Sequence, residues 1–186
     1  MVGCSSNLEN PQNSCDIFSN QPSWYRYAKQ SEKEFSVPVS TQLAIIYQES
    51  SFNRASLPQR KYVLGFIPWG YISSAKGYSQ ALDAVWEEYL QDRGGILSSR
   101  HRFKDTTDFI GWYFNRFAPK ANIKYSDTFS LYILYHEGLG GYRSGKWKKN
   151  KRLIQIAKKV EARAKMYKNQ LKACQVYFNT TSLYFI

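Results

Sequence analysis

Residues 41–53 read TQLAIIYQESSFN, and the apolar run through their middle decides the architecture. Leu43, Ile46 and Tyr47 recur at spacings of three and four, the period of a helix with one face against a core. Pro38 breaks whatever precedes the run. Ser40 and Thr41 stand where an N-cap hydroxyl would accept the first free backbone N–H groups. Glu49 lies near the helix end with no cation beside it in sequence. A carboxyl so placed loses water, which disfavours its charged form, raises its pKa and keeps it protonated as a general acid. The competing reading is a glutamate that merely decorates a helix end.

Upstream, SWYRYAKQSEKEF (23–35) predicts a helix with Trp24, Tyr27, Ala28 and Phe35 available to one face. Residues 5–21 are rich in Ser, Asn and Gln, lack apolar periodicity and read as a tether. Downstream, Pro58, Gly65, Pro68 and Gly70 predict loop or short strands over 53–72. Further helices are expected over 79–91, 105–117 and 126–136, the last closed by Gly138, Gly140 and Gly141. The clearest helix covers 148–174, where Leu153, Ile156, Ala157, Val160, Ala164, Tyr167 and Leu171 form a stripe. Lys and Arg fill its other faces, most simply as a solvated surface. No internal repeat interrupts the pattern.

At 43% hydrophobic the chain is too rich in core formers to be disordered, and its 186 residues suit one domain with one site. The 5 Trp, 15 Tyr and 11 Phe exceed what a core needs and point to a cleft that stacks flat rings, sugars or nucleobases. A formal charge of +12 attracts polyanions, whether nucleic acid, anionic headgroups or cell-wall polymer. No run approaches the roughly 20 apolar residues that span a bilayer. Cys4 lies in MVGCSS, which resembles the end of a bacterial lipoprotein signal. Its acylation would leave Cys15 and Cys174 as a pair able to form a disulfide in an oxidising compartment, the alternative being three reduced cysteines in a cytosolic protein. His101 and His136 lack ligand-spaced partners, and there is no Walker or dinucleotide loop, so neither metal nor cofactor is expected.

ESSF (49–52) resembles the ESxF motif of the soluble lytic transglycosylase family, within the lysozyme-like superfamily. Two further blocks follow in that family's order. GYSQALDAVW (77–86) resembles its Gly-x-x-Gln block, and LYHEGLGGYRSG (134–145) its Tyr-Asn-x-Gly block with His in place of Asn. The resemblance implies a mainly α fold of the lysozyme-like α+β superfamily, a two-lobed helical domain with a substrate groove and a loop-rich middle. It divides the chain into a lipidated tether (1–21), a transglycosylase domain (22–175) and a C-terminal tail (176–186).

The activity so implied is cleavage of the bond between N-acetylmuramic acid and N-acetylglucosamine in peptidoglycan. Glu49 would protonate the leaving oxygen and then activate the sugar's own 6-hydroxyl, giving a 1,6-anhydro product without the second carboxylate that ordinary glycosidases need. By position, Ser50 would hydrogen-bond the carboxylate or the substrate, Gln80 would line the groove and bind sugar groups, and Tyr135 would orient Glu49 or the substrate. Tyr78 and Ser79 stand where the family has apolar groove residues. Tyr78, His136, Gly138 and Tyr142 join the substrate-binding set, with GLGGYRSG read as a turn at the groove edge. His136 either binds substrate or fixes that turn, and Glu137 is the one nearby carboxylate that would make an inverting hydrolase instead. The implied setting is the periplasm, as a monomer on glycan strands, held through a lipid on Cys4 to a membrane, the outer one by the Ser5 and Ser6 that follow. Nucleic acid is not an expected partner, because no recognised reading element is present. The alternative is a non-catalytic peptidoglycan-binding or assembly-factor module on the same fold.

Overall fold

The computed structural model describes residues 8–63, 67–71 and 73–181. In chain order these form α1 (Ser14–Asn20), α2 (Pro22–Phe35), α3 (Val39–Ser50), β1 (Arg60–Val63), β2 (Ile67–Tyr71), α4 (Asp83–Asp92), α5 (Phe103–Phe117), α6 (Thr128–Ser144) and α7 (Lys151–Thr181). The chain is mainly α, and among the described residues its strands make one antiparallel hairpin.

Helix α3 holds the centre. Every residue from Val39 to Ile46 is buried, so the helix is enclosed on all sides and not along one stripe. Helices α2, α5 and α7 pack around it. Its start is not capped by Ser40 or Thr41: both are buried, and Thr41 Oγ1 instead pairs with Thr128 Oγ1 at 2.8 Å. Pro38 occupies the cap position without a side-chain acceptor, and the Glu32 carboxylate on α2 accepts from Val39 N–H at 3.0 Å. A neighbouring helix thus supplies what the local sequence does not. Gln42, fully buried, donates to Ala28 O (3.2 Å) and Val37 O (2.9 Å), tying α2 and the connecting turn to α3. At the other end Ser51 and Phe52 take left-handed backbone, φ 50° and 62°, turning the chain off the helix just past Glu49. An aromatic residue adopts that conformation only when its surroundings hold it, and Phe52 is buried between Trp24 and Tyr47, ring centroids 5.9 and 6.1 Å away.

The described residues near both ends of the chain hold more structure than composition suggests. Within the stretch read as a tether, α1 places Ile17 and Phe18 fully inside the core, against α2 and α7. Two apolar positions in so short a helix are too few to register as periodicity. Ser14 N–H donates to Gln170 Oε1 at 2.9 Å, and Cys15 is joined to Cys174 of α7 by a disulfide, Cα to Cα 6.0 Å. Residues 176–181, read as tail, continue α7: Phe178 is buried against Phe18 and Tyr25, and the Tyr25 hydroxyl donates to Asn179 Oδ1 at 2.7 Å. The lipid site expected at Cys4 and the SLYFI ending lie outside the described residues.

Two internal boundaries also differ. Helix α4 starts at Asp83 and not at Ser79, because Gly77 and Gln80 both take positive φ (72° and 50°) and bend the chain into a turn. Helix α6 does not stop at the glycines. It breaks at Gly138 (φ 68°, ψ 174°) and resumes to Ser144, since Leu139 and Tyr142 keep packing against the core. The glycine-rich stretch is therefore a kink within a helix. In α7, Leu153, Ala157, Val160, Ala164, Tyr167 and Leu171 are buried along the expected stripe, which packs on α3 and α6. Among the described residues no helix is long and apolar enough to cross a membrane.

The Cys15–Cys174 bond spans a sequence separation of 159 residues, so its loss releases a long loop in the unfolded chain. Replacing both cysteines by serine is expected to cost about 3–5 kcal/mol, seen as a lower midpoint in chemical denaturation. An unchanged midpoint would mean that Ile17 and Phe18 hold α1 unaided.

Candidate active site around Glu49

Three elements converge on the last turn of α3. From α6 the Tyr132 hydroxyl donates a hydrogen bond to the Glu49 carboxylate. One turn further on, Tyr135 is close enough to Glu49 for the carboxylate's charge to add to burial in raising its own pKa. The Tyr135 hydroxyl donates elsewhere, to Ser79 O at 2.7 Å, and so pins α6 to the turn that precedes α4. That turn is tied to α3 in its own right: Ser50 Oγ lies 2.8 Å from Tyr78 O and 3.1 Å from Ile46 O.

The turn has little freedom. A Cβ on Gly77 would fall 2.1 Å from Arg100 O, and its φ of +72° independently disfavours any side chain. Gln80 closes the turn from within, its Nε2 donating to Gly77 O (2.8 Å) and Ser56 O (3.1 Å). The glycine and the glutamine of the Gly-x-x-Gln block thus serve one purpose, holding the Ser79 carbonyl where Tyr135 reaches it.

Burial pushes the Glu49 carboxyl up to about 7, against the Tyr132 hydrogen bond, which favours the charged form and lowers it. No cation pairs with Glu49 among the described residues. The result is a carboxyl that gives up and regains a proton near neutrality.

The other sequence candidates fall into distinct places. Ser50 spends its hydroxyl on backbone carbonyls and not on the Glu49 carboxylate. Gln80 has both amide hydrogens engaged, leaving Oε1 as the atom available to a ligand. Tyr78 is a core ring, 4% exposed and edge-on to Trp24 and Phe103, and Ser79 is fully buried with its hydroxyl unpaired. His136 is exposed on α6, its ring centroid 6.3 Å from that of Tyr132 and its Nδ1 2.9 Å from Glu137 Oε1. Gly138 faces open space at the kink, and Tyr142 lies beyond it, stacked on Trp147 at 5.7 Å. Sequence reading passed over Tyr132. Its signal was present, since Tyr132 and Tyr135 share a helix face and a buried carboxyl requires a donor.

The sequence pattern of a family described as Transglycosylase SLT domain matches residues 1–174. The chain belongs to that family. The match takes in α1, in keeping with its burial. SLT domains are lytic transglycosylases as a class and act on peptidoglycan in the periplasm. The seven α-helices among the described residues make the architecture of a mainly α, lysozyme-like SLT domain. No curated protein and no solved structure matches the chain.

The raised pKa of Glu49 has a consequence for stability. The folded SLT domain holds this proton more tightly than the unfolded chain, so the contribution of Glu49 is greatest below the ordinary value of 4.5 and is lost as pH rises towards 7. Glu49→Gln carries no such charge. It is expected to be more stable than the wild type at pH 8 by on the order of 2–3 kcal/mol and equal to it at pH 4. Denaturant melts at both pH values measure this, and a difference independent of pH would remove burial of the charge as its cause.

Proposed function

We propose that this SLT domain cleaves the β-1,4 bond between N-acetylmuramic acid and N-acetylglucosamine, with Glu49 as its one acid and base. The observation that carries the reading is a partly buried carboxyl, pushed up to about 7, with a tyrosine donor and no cation beside it. Protonated Glu49 gives its proton to the glycosidic oxygen as the bond to the muramic C1 breaks. The carboxylate left behind draws the proton from the 6-hydroxyl of the same sugar, whose oxygen closes on C1. The 1,6-anhydro ring forms, the proton is back on Glu49, and no water is consumed. A carboxyl titrating near neutrality suits both halves of this cycle.

Tyr132 has a defined part. Its hydrogen bond holds the carboxylate in place and stabilises the charged form needed for the second half. Tyr135 acts at one remove as a positioning residue, by fixing α6 against the Ser79 turn. The Oε1 of Gln80 and the exposed ring of His136 are the groups from which sugar contacts would come.

Digestion of purified peptidoglycan, with mass spectrometry of the released fragments, tests the reaction. The wild type is expected to release anhydro-muropeptides and Glu49→Gln none. Reducing-end products would instead indicate hydrolysis and direct attention to Glu137. Glycan binding without release by either protein would leave a binding module on this fold.

Tyr132→Phe tests the assigned hydrogen bond. Removing a donor from the carboxylate raises the Glu49 pKa further, so the alkaline limb of the rate profile moves to higher pH while the maximal rate falls roughly tenfold or more. An unmoved limb would show that Tyr132 does not act through Glu49.

A further inference from the structure

A concavity of about 460 Å³ lies between the first turns of α2, the turn after α3 and the first turn of α5, and neither Glu49 nor Tyr132 nor Tyr135 lines it. Its size falls in the range of small-ligand sites, about 300–1,000 Å³. Its base is aromatic. Trp24, 6% exposed, lies flat on Phe103 with centroids 3.9 Å apart, and Tyr78 meets both rings edge-on. Tyr78 is more than nine-tenths buried and lines the cavity, yet its hydroxyl has no hydrogen-bond partner among the described residues. The two sealed, unpaired side-chain atoms among those residues are Gln42 Oε1 and Ser79 Oγ, so the Tyr78 hydroxyl opens into the cavity. It also lies within the field of the Arg54 guanidinium.

The walls offer two kinds of group. The first turn of α5 has no side-chain cap at Arg102, leaving the Phe103 and Lys104 N–H groups without acceptors among the described residues. Arg102 is itself occupied with Asp105 and Leu97 O, whereas Arg54 and Lys104 are exposed and carry no ion pair among the described residues. These groups together favour an oxyanion. On the same wall His101 Nδ1 lies 2.6 Å from Arg54 O, and a carbonyl can only accept. Nδ1 therefore carries a hydrogen, and in that tautomer Nε2 is an acceptor. A phosphodiester or a fully ionised phosphomonoester has no hydrogen to give it. The C-terminal end of a peptide has both a carboxylate and, one bond system back, an amide N–H.

We propose that this cavity binds the carboxylate end of a peptide, the carboxylate against Arg54, Lys104 and the first turn of α5, the preceding N–H towards His101, and the side chain over Trp24 and Tyr78. The site is independent of glycan cleavage and holds whether or not Glu49 performs it. It adds a peptide-reading pocket at a place that Glu49 does not line.

Titration of the ¹⁵N-labelled protein with N-acetyl-alanyl-alanine, following the Trp24 indole N–H signal, tests it without reference to activity. The free acid is expected to shift that signal to saturation, with the C-terminal amide and inorganic phosphate each at least tenfold weaker. Arg54→Ala and Lys104→Ala, both at exposed positions, are each expected to weaken the acid about tenfold or more, the value of one charge-assisted hydrogen bond. Glu49→Gln should bind as the wild type does. No shift, equal affinity for acid and amide, phosphate binding as tightly as the dipeptide, or unchanged affinity in both cationic-residue variants would each overturn the proposal.

Discussion

The desolvation of one carboxyl is the constraint on which the rest of this structure depends. Helix α3 is surrounded by α2, α5 and α7, so the residues of its last turn emerge into a space already shaped by other elements. Glu49 reaches that space with a tyrosine hydroxyl to accept from and no cation to neutralise it. A pKa raised in this way lowers stability at neutral pH, and it suits the proton transfers proposed for Glu49. The supporting structure opposes the tendency of such a group to swing into water. Tyr132 holds the carboxylate, Tyr135 holds α6 to the Ser79 carbonyl, and Ser50 holds α3 to the same turn through Tyr78 O.

That closed arrangement explains why a motif residue can be essential without touching a sugar. Gly77 is required because Arg100 O leaves room for nothing larger, and Gln80 because its amide stitches the turn to itself and to Ser56. Ser50 belongs to the same category. The aromatic surplus divides similarly. Many of the rings form two networks, one joining Trp24, Phe52, Tyr78 and Phe103 and the other running from Trp86 through Phe109 and Tyr113 to Tyr135, where stacked, tilted and edge-on contacts give rigidity at little cost in side-chain entropy. The kink at Gly138 turns the second half of α6 away from the line of the first and carries Tyr142 onto Trp147.

Charge is distributed by a simpler rule. On α7 the buried stripe faces α3 and α6, while lysines at 158, 159, 165, 168 and 172 point to solvent. A net charge of +12 spread in this way draws a protein to an anionic polymer from a distance and orients it little. The two sites proposed above, the carboxyl on α3 and the aromatic-based cavity at the start of α5, are more enclosed than that surface.

What the sequence determined by itself was whatever depends on neighbours along the chain. The apolar stripes of α2, α3 and α7, the start and stop signals around 105–117, the interruption over 53–72, the helix-end position of Glu49 and the order of three short blocks all follow from local pattern. Helix α1 was not legible, because two buried apolar side chains in seven residues make no period, and neither was the cap on α3, because its acceptor, Glu32, comes from another helix. The continuation of α6 past its glycines was hidden for the same reason: backbone freedom at Gly138, Gly140 and Gly141 permits a stop, and only the packing of Leu139 and Tyr142 decides against it. Tertiary structure alone chose Tyr132 over Tyr135 as the donor to Glu49 and gave Ser50 and Gln80 to the backbone. A hydrogen bond is a matter of a few tenths of an ångström between elements far apart in sequence, and spacing along a chain carries no information at that scale.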